Sequence, residues 1–539
     1  MPKFTPEELA VLRQYVTNPE SNVFAVKGLT GIIGPAYARY SRAQGSFLET
    51  FLKEFVKEGQ LDALKAKDAI ERILIAYGDD SVGELEGAHL SMEQVSNLAT
   101  KEVEDRRIGG SPIEQSTRYV VYDQKNEQGQ WRYLRPKEIM ESPVKELYER
   151  TMDELFETYA GLVEPMQAYY CTLKPREDAR YDILGTGTKQ ARTEMKDEKD
   201  IKAFDRTYKA DIRTKTCDAI RILLPAATLT NVGIFGNGRF FQHLLSHLYT
   251  HPLAEMRDTA VKAHEALDHV IPTFVKRAKK NEFLATTRLQ MQLLADEFLQ
   301  GITPDPSTHV TLLTHEKTDF YTLTLAQMLY PYSMHSLSHL YSFIAKLPDT
   351  AKERIMATYV GERETRRDRP DRALEAGYPL TFDIIGDFGI YRDLQRHRML
   401  TQQRQLLNPH LGFEDNTDIA LAGFQDRVDA IREKIEKLYN ATKGACGNTV
   451  AQYTVLMGHR MRWTMGMNLR EAEHLFELRT TPQGHPTYRK ICQIMTKEVL
   501  AHYPWAHELL KFVDHDDYQW ARADSEANQR RKERKLDTE

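Results

Sequence analysis

Three stretches of the chain gather residues able to bind anions or move charge. Arg106 to Tyr119 reads RRIGGSPIEQSTRY. Its arginines offer bidentate donors to phosphate, and Ser111 and Ser116 add hydroxyl donors. The Gly109-Gly110-Ser111-Pro112 run stops a helix and lets the backbone approach a ligand closely. Arg392 to Arg398 reads RDLQRHR, and basic side chains so close repel one another unless an anion or carboxylates neutralise them. A diphosphate-bearing cofactor would do so. Asn468 to Arg479 reads NLREAEHLFELR. Asn468, Arg470, His474 and Arg479 stand there among apolar positions of a helix, which predicts that they face a shared cleft. The plainer alternatives are a salt-bridged surface loop for the first stretch and, for the second, basic residues favoured by the dipole at a helix C-terminus.

Other features narrow the field. A net charge of -5 gives no electrostatic reason to expect nucleic acid or an anionic membrane as partner. No apolar run approaches the roughly 20 residues that span a bilayer. The opening MPKFTPEELAVLRQY lacks a secretory pattern and predicts instead a helix capped by Thr5 with Pro6 in its first turn. Cys171, Cys217, Cys446 and Cys492 lie far apart, which argues against a zinc ribbon or disulfide framework and suits the cytosol. His243, His247 and His251 recur every four residues, as do His335 and His339. Such rows can hold zinc when a third ligand is present. With no HExxH pattern nearby, packing or contact with a cofactor is the preferred explanation and no metal is expected.

The elements that position these stretches repeat. At a shift of 290 residues, Ala36, Tyr40, Gly87, Leu90, Arg106 and Gln115 fall on Ala326, Tyr330, Gly377, Leu380, Arg396 and Gln405. At a shift of 231, Asn237, Arg239 and His243 fall on Asn468, Arg470 and His474. Each half is expected to open on a short strand, Val23–Val26 or Val310–Leu313. A long helix ending near Tyr77 or Tyr359, another strand and another helix should then lead into the arginine stretch. The pattern predicts an α+β chain of two tandem copies, 1–280 and 305–515, joined by a linker at 281–304 and followed by a charged tail at 516–539. The first copy is longer, and the excess is expected as a surface insertion around 131–216.

These stretches resemble the flavin-dependent thymidylate synthases, whose signature is RHRxxSxNExSxRY, with a downstream NxRxxxNxxxLR helix and an ARxxLP segment. The first copy matches the later part of the signature at Ser111, Glu114, Ser116, Arg118 and Tyr119, but has Arg106-Arg107-Ile108 for RHR and Ile113 for Asn. The second keeps Arg396-His397-Arg398 and loses the rest. The first keeps Arg221 of the ARxxLP segment, where the second has Gln452. The second keeps Arg479, where the first has Leu248. Reciprocal loss of this kind resembles a duplicated subunit turned into a fused pseudo-dimer, with one composite site divided between the copies.

The resemblance implies methylation of dUMP to dTMP. Methylenetetrahydrofolate would supply the carbon, FAD would carry the hydride, and NADPH would reduce the flavin. It implies Glu114, Ser116, Arg118 and Arg221 as nucleotide-binding residues, and Arg479 as the catalytic arginine beside the pyrimidine. Ser81, Arg396, His397, Arg398, Asn468, Arg470 and His474 would hold FAD. It also implies a homodimer, a pseudo-tetramer of four copies. The family usually has His after the Gly of Gly78-Asp79-Asp80-Ser81, whereas this chain has Asp79 and, in the second copy, Asp371. The rival expectations are a non-catalytic flavin or nucleotide scaffold, and a flavoenzyme acting on another pyrimidine nucleotide.

Overall fold

Helix boundaries fall where capping side chains stand. Thr5 opens α1 (Pro6–Tyr15) as half of a capping box, its hydroxyl accepting from Glu8 N–H while Glu8 reaches back to Thr5 N–H. The computed structural model describes residues 4–28, 33–40, 46–57, 60–61, 84–305, 309–314, 319–364, 368 and 370–520. Ser81, Asp79, the helix expected to end near Tyr77 and the chain beyond Trp520 lie outside the described residues. The helices that matter here are α1, α2 (Phe47–Phe55), α3 (Asn97–Glu104), α4 (Lys145–Leu173), α5 (Glu198–Ile220) and α6 (Gly238–Thr250). They continue with α7 (Glu282–Phe298), α8 (Phe388–Leu394), α9 (Gln425–Cys446), α10 (Leu469–Thr480) and α11 (Pro486–His502). The strands are β1 (Gly87–Ser96), β2 (Gly110–Glu114), β3 (Leu229–Asn237), β4 (Val310–Thr314), β5 (Leu380–Asp387), β6 (Thr401–Arg404) and β7 (Arg460–Met467).

The chain divides into two compact units that do not follow chain order. One gathers Met1–Val95, Ala99–Glu114 and Thr230–Glu282; the other gathers Ser96–Leu98, Gln115–Leu229 and Phe283–Glu539. In the first, the sheet order is β1-β3-β2, with β2 and β3 antiparallel through Gly110↔Gly236 to Glu114↔Val232. Val23–Val26 is not a strand; only Val26 makes a bridge, to Val16. The apolar core around α1 and α2 is built from Leu12, Val16, Phe47, Phe51 and Phe55. Beside the sheet Lys101 is wholly buried between Glu104 and Glu114, with Glu114 Oε2 at 3.0 Å. In the second unit the order is β6-β7-β5-β4, all neighbours antiparallel. Residues of β5 are buried on both faces, as a central strand requires. A helical cluster of Met291, Leu294, Leu325, Leu329 and Ile355 packs in the same unit.

Element order recurs at the sequence shifts. β1, α3 and β2 match β5, α8 and β6 near 290, and β3 with α6 matches β7 with α10 at 231. Within the second unit, hydrogen bonds recur in pairs related by the 231 shift. Ala226 N–H donates to Val455 O and Met457 N–H to Leu224 O, both at 2.8 Å. Ala227 N–H to Tyr453 O and Gly458 N–H to Ile222 O follow at 3.1 and 2.9 Å. Pro225 bridges Leu456, its own counterpart at that shift.

The first copy's excess length is not a surface insertion. The stretch expected as an insertion holds α4 and most of α5, which bury Phe156, Tyr159, Met166, Tyr170, Phe204 and Ile212. Residues 281–304, expected as a linker, are mostly α7, with Met291, Leu294 and Ala295 buried. The expected charged tail begins docked: the Trp520 ring meets Tyr170 edge-on at 6.0 Å, with Lys174 above it. Among the described residues no helix is long and apolar enough to cross a membrane. The buried Lys101 network gives a direct test. Lys101→Met strands two buried carboxylates and should lower stability by about 3–5 kcal/mol, read by urea unfolding; a loss under about 1 kcal/mol would mean that the pairing does not stabilise the fold.

Candidate functional site

The second unit gathers four of the arginines singled out in the sequence. Arg118 follows a tight turn in which Ser116 Oγ accepts from Arg118 N–H at 3.3 Å. Its guanidinium grips Asp218, at the end of α5, through Nε to Oδ1 at 2.6 Å and Nη2 to Oδ2 at 2.5 Å. Nη1 reaches the Gln483 carbonyl at 3.5 Å, and the neighbouring Thr117 hydroxyl lies 3.3 Å from Arg392 Nη1 on α8. Arg221 sits in the 3-10 turn after α5, 3% exposed, with Nη1 4.0 Å from Asp393 Oδ2. Arg221 Nη2 has no hydrogen-bond partner among the described residues, nor has Asp387 Oδ2 at the start of α8. A side chain on Gly389 would stand 2.9 Å from Asp387 Oδ1 and 3.6 Å from Arg221 Nη2, so glycine keeps that approach open.

Asp393 is the shared neighbour. Burial pushes its carboxyl up, yet Arg221, Arg396, Arg118 and Arg479 together hold it below its ordinary value. Asp218 is opposed by burial in the same way and is held at about 2, chiefly by Arg118, with His485 and Arg221 adding to the effect. Tyr488 faces Asp393 and Arg118, with the Arg479 guanidinium 5.8 Å from its ring centre. His485, buried and facing Arg221 and Arg118, is held neutral to about 3. Asp387 moves the other way: burial outweighs Arg221 and raises it to about 7.

His397, 4% exposed, is bonded on both ring nitrogens. Nδ1 lies 2.8 Å from Glu471 Oε1, and Nε2 accepts from Arg479 Nε at 2.9 Å. Burial, with Arg479 and His474 nearby, keeps the ring below its usual pKa despite Glu471.

The remaining expected residues fall elsewhere. Asn468 and Asn237 are helix caps, Oδ1 accepting from Glu471 N–H at 3.0 Å and from Phe240 N–H at 2.8 Å. Arg470 and His474 are exposed on α10, whereas Arg479, nine residues from Arg470 and about half a turn round the axis, points to His397. The single cleft expected for all four is therefore two faces. The His474 ring stands 5.5 Å from His397, which sets the exposed basic face of α10 beside the Arg396–Arg398 turn. Exposed Arg398, Arg470 and His474 are a donor set whose chemistry suits a diphosphate. Glu114 belongs to the first unit, its carboxylate buried on Thr100 and Lys101. In that unit His247 is hydrogen-bonded on both ring nitrogens, to Glu102 at 3.0 Å and Arg106 at 2.8 Å. Asp371 caps a 3-10 turn and pairs with Arg288 at 2.6 Å.

Sequence inspection passed over Asp218, Asp393, Glu471, His485 and Tyr488. Asp393 was within reach, since it stands inside the basic run that demanded a carboxylate. Glu471 was concealed because Asn-x-x-Glu at a helix start reads as a cap.

The Arg118–Asp218 pair sets a pH dependence. A carboxyl lowered in the fold stabilises above its unfolded value of 3.8, and that contribution is lost as pH falls from about 4 towards 2. Asp218→Asn should cost about 3 kcal/mol or more at pH 7, since it leaves Arg118 buried without its acid. The gap from the parent should narrow below pH 4 in urea titrations; a gap constant down to pH 2.5 would refute the pairing.

The family model described as thymidylate synthase complementing protein matches residues 36–273 and 347–505. A UPF0159 protein of Chlamydia pneumoniae is 37% identical over 97% of this chain and 98% of its own length. One from Chlamydia muridarum is 36% identical over 98% of each, and one from Thermoplasma acidophilum is 28% identical over 92% of this chain and 97% of its own. With its matched segments covering the arginine cluster and most of the chain, the protein belongs to the thymidylate synthase complementing protein family, the flavin-dependent thymidylate synthases.

Proposed function

We propose that the chain is a flavin-dependent thymidylate synthase in tandem form, methylating dUMP to dTMP in the cytosol. Its composite site would take residues from two diverged copies, 1–280 and 305–515. What carries this assignment is the convergence of Arg118 and Arg221 from the first copy with Arg396 and Arg479 from the second around one carboxylate, Asp393. The paired hydrogen bonds of 222–227 with 453–458 support a pseudo-dimer, because two-fold related copies pair equivalent residues with one another.

In this assignment Ser116, Arg118 and Arg221 bind the nucleotide. The buried Nη2 of Arg221 is a donor still to be satisfied, and a phosphate or pyrimidine oxygen would satisfy it. Arg479 lies beside the pyrimidine and stabilises negative charge developing at N3 or its carbonyls. Arg396, Arg398, Arg470 and His474 hold the FAD diphosphate, with the amide nitrogen of Asn468 as a further contact. Bound flavin would supply the hydride, NADPH its electrons, and methylenetetrahydrofolate the carbon. A homodimer of the chain would rebuild an assembly of four copies.

One observation favours the rival scaffold reading. The Arg118 fork is already filled by Asp218, so a nucleotide must share or displace that acid. Binding and turnover separate the two. Purified protein should retain stoichiometric FAD and convert dUMP to dTMP when given methylenetetrahydrofolate and NADPH; retention of FAD and dUMP without turnover would favour the scaffold. Arg118→Ala should weaken dUMP binding about tenfold or more, the loss of one charge-assisted contact, and spare FAD. Arg396→Ala should do the reverse. Equal losses of both ligands in both variants would sink the divided site.

A further inference from the structure

His397 stands in the arginine turn that the family resemblance gives to the flavin, yet neither ring nitrogen is left for a ligand. Glu471 Oε1 lies 2.8 Å from Nδ1, and Arg479 Nε lies 2.9 Å from Nε2. Arginine has no acceptor, so Nε2 must be the lone-pair nitrogen and Nδ1 must carry the proton, which the carboxylate accepts. Glu471 and His397 are both buried, with side chains 6% and 3% exposed, so water does not compete for these bonds. Glu471 is itself fixed at the third position of α10, its backbone N–H bonded to the Asn468 cap. Arg479 is on the same helix, eight residues further on. The three side chains thus form a line of hydrogen bonds that starts and ends on α10 and passes through the turn after α8.

We propose that Glu471 and His397 are positioning residues that aim the guanidinium of Arg479, and that His397 is not a flavin ligand. The proposal rests on the role assigned above to Arg479. Glu471 holds the imidazole in the Nδ1–H tautomer. In the other tautomer an N–H would face Arg479 Nε–H, and the arginine would lose the bond that fixes its plane. An arginine has long, freely rotating torsions, and holding Nε leaves both terminal nitrogens directed at whatever lies before them. Arg479 is half-buried, and its terminal nitrogens are the donors that the proposal gives to the ligand.

The test uses the full-length protein loaded with FAD, and the probe is dUMP. Arg479→Ala, Glu471→Leu, Glu471→Gln and the double variant Glu471→Leu/Arg479→Ala are compared for FAD affinity, dUMP affinity and dTMP formation. Arg479→Ala should lower kcat/KM for dUMP tenfold or more. Glu471→Leu should reproduce most of that loss, while Glu471→Gln, which keeps an oxygen for Nδ1–H, should stay within about threefold of the parent. The double variant should be no worse than Arg479→Ala, because residues acting through one group are not additive. FAD affinity should hold in all four. If Glu471→Leu does not fold, His397→Asn breaks the same contact and should give the same pattern. Losses that multiply in the double variant, or FAD lost from the Glu471 or His397 variants alone, would overturn the relay. Arg479→Ala equal to the parent would instead overturn the role of Arg479, and the relay with it.

Discussion

Guanidinium groups packed together repel one another, and the second unit tolerates four of them because two half-buried acids stand among them. Arg118 spends its planar fork on Asp218, and Asp393 lies in the field of all four. An isolated charge in such surroundings would be expensive to bury. Mutual neutralisation leaves the cluster assembled, while Arg221 still carries a buried nitrogen without a hydrogen-bond partner among the described residues. The cluster is thus organised by the protein's own side chains, and under the proposed function that is the condition in which electrostatic stabilisation of developing charge is strongest.

Backbone pairing makes this crowding possible. Arg221 opens the segment whose following residues, 222–227, are hydrogen-bonded to 453–458. That pairing fixes the end of α5, where Asp218 stands, against the segment that leads into β7. β7 in turn pairs with β5, whose end caps α8 through Asp387. A chain of regular hydrogen bonds therefore runs from Arg221 to the Arg392–Arg398 stretch, and the side chains inherit its geometry. The helix α10, which follows β7 directly, brings Arg479 back to His397.

Much of this was legible in residue types and spacing. The recurrence at 290 and 231 residues reappears as matched strands and helices, because hydrophobic periodicity and caps are local properties. Thr5 and Asp387 act where sequence rules for caps put them. Misreadings arose where a local signal had two physical explanations. The charged stretch within 131–216 looked like a solvated insertion, yet α4 and α5 each turn an aromatic face inward. Asn468, expected as a ligand, also caps a helix through its amide oxygen, because an Asn before a helix satisfies backbone donors wherever it occurs. Val23–Val26 is apolar enough for a strand but finds no partner beyond one bridge.

The sequence by itself determined the family, the repeat and the list of arginines, since all three follow from residue identity and order. It could not determine which acid each arginine meets. Arg118 and Asp218 are a hundred residues apart, and His397 and Arg479 are 82 apart. Such pairs depend on strand register and on the packing of α5, α8 and α10, which no local pattern encodes. Only the tertiary structure decided that Arg470 and Arg479 serve different faces of one helix, that His397 is saturated by the protein itself, and that Asp393 lies in the field of four arginines. The physical reason is range: periodicity and capping act over a few residues, whereas charge neutralisation acts between whatever side chains the finished fold brings within a few ångströms.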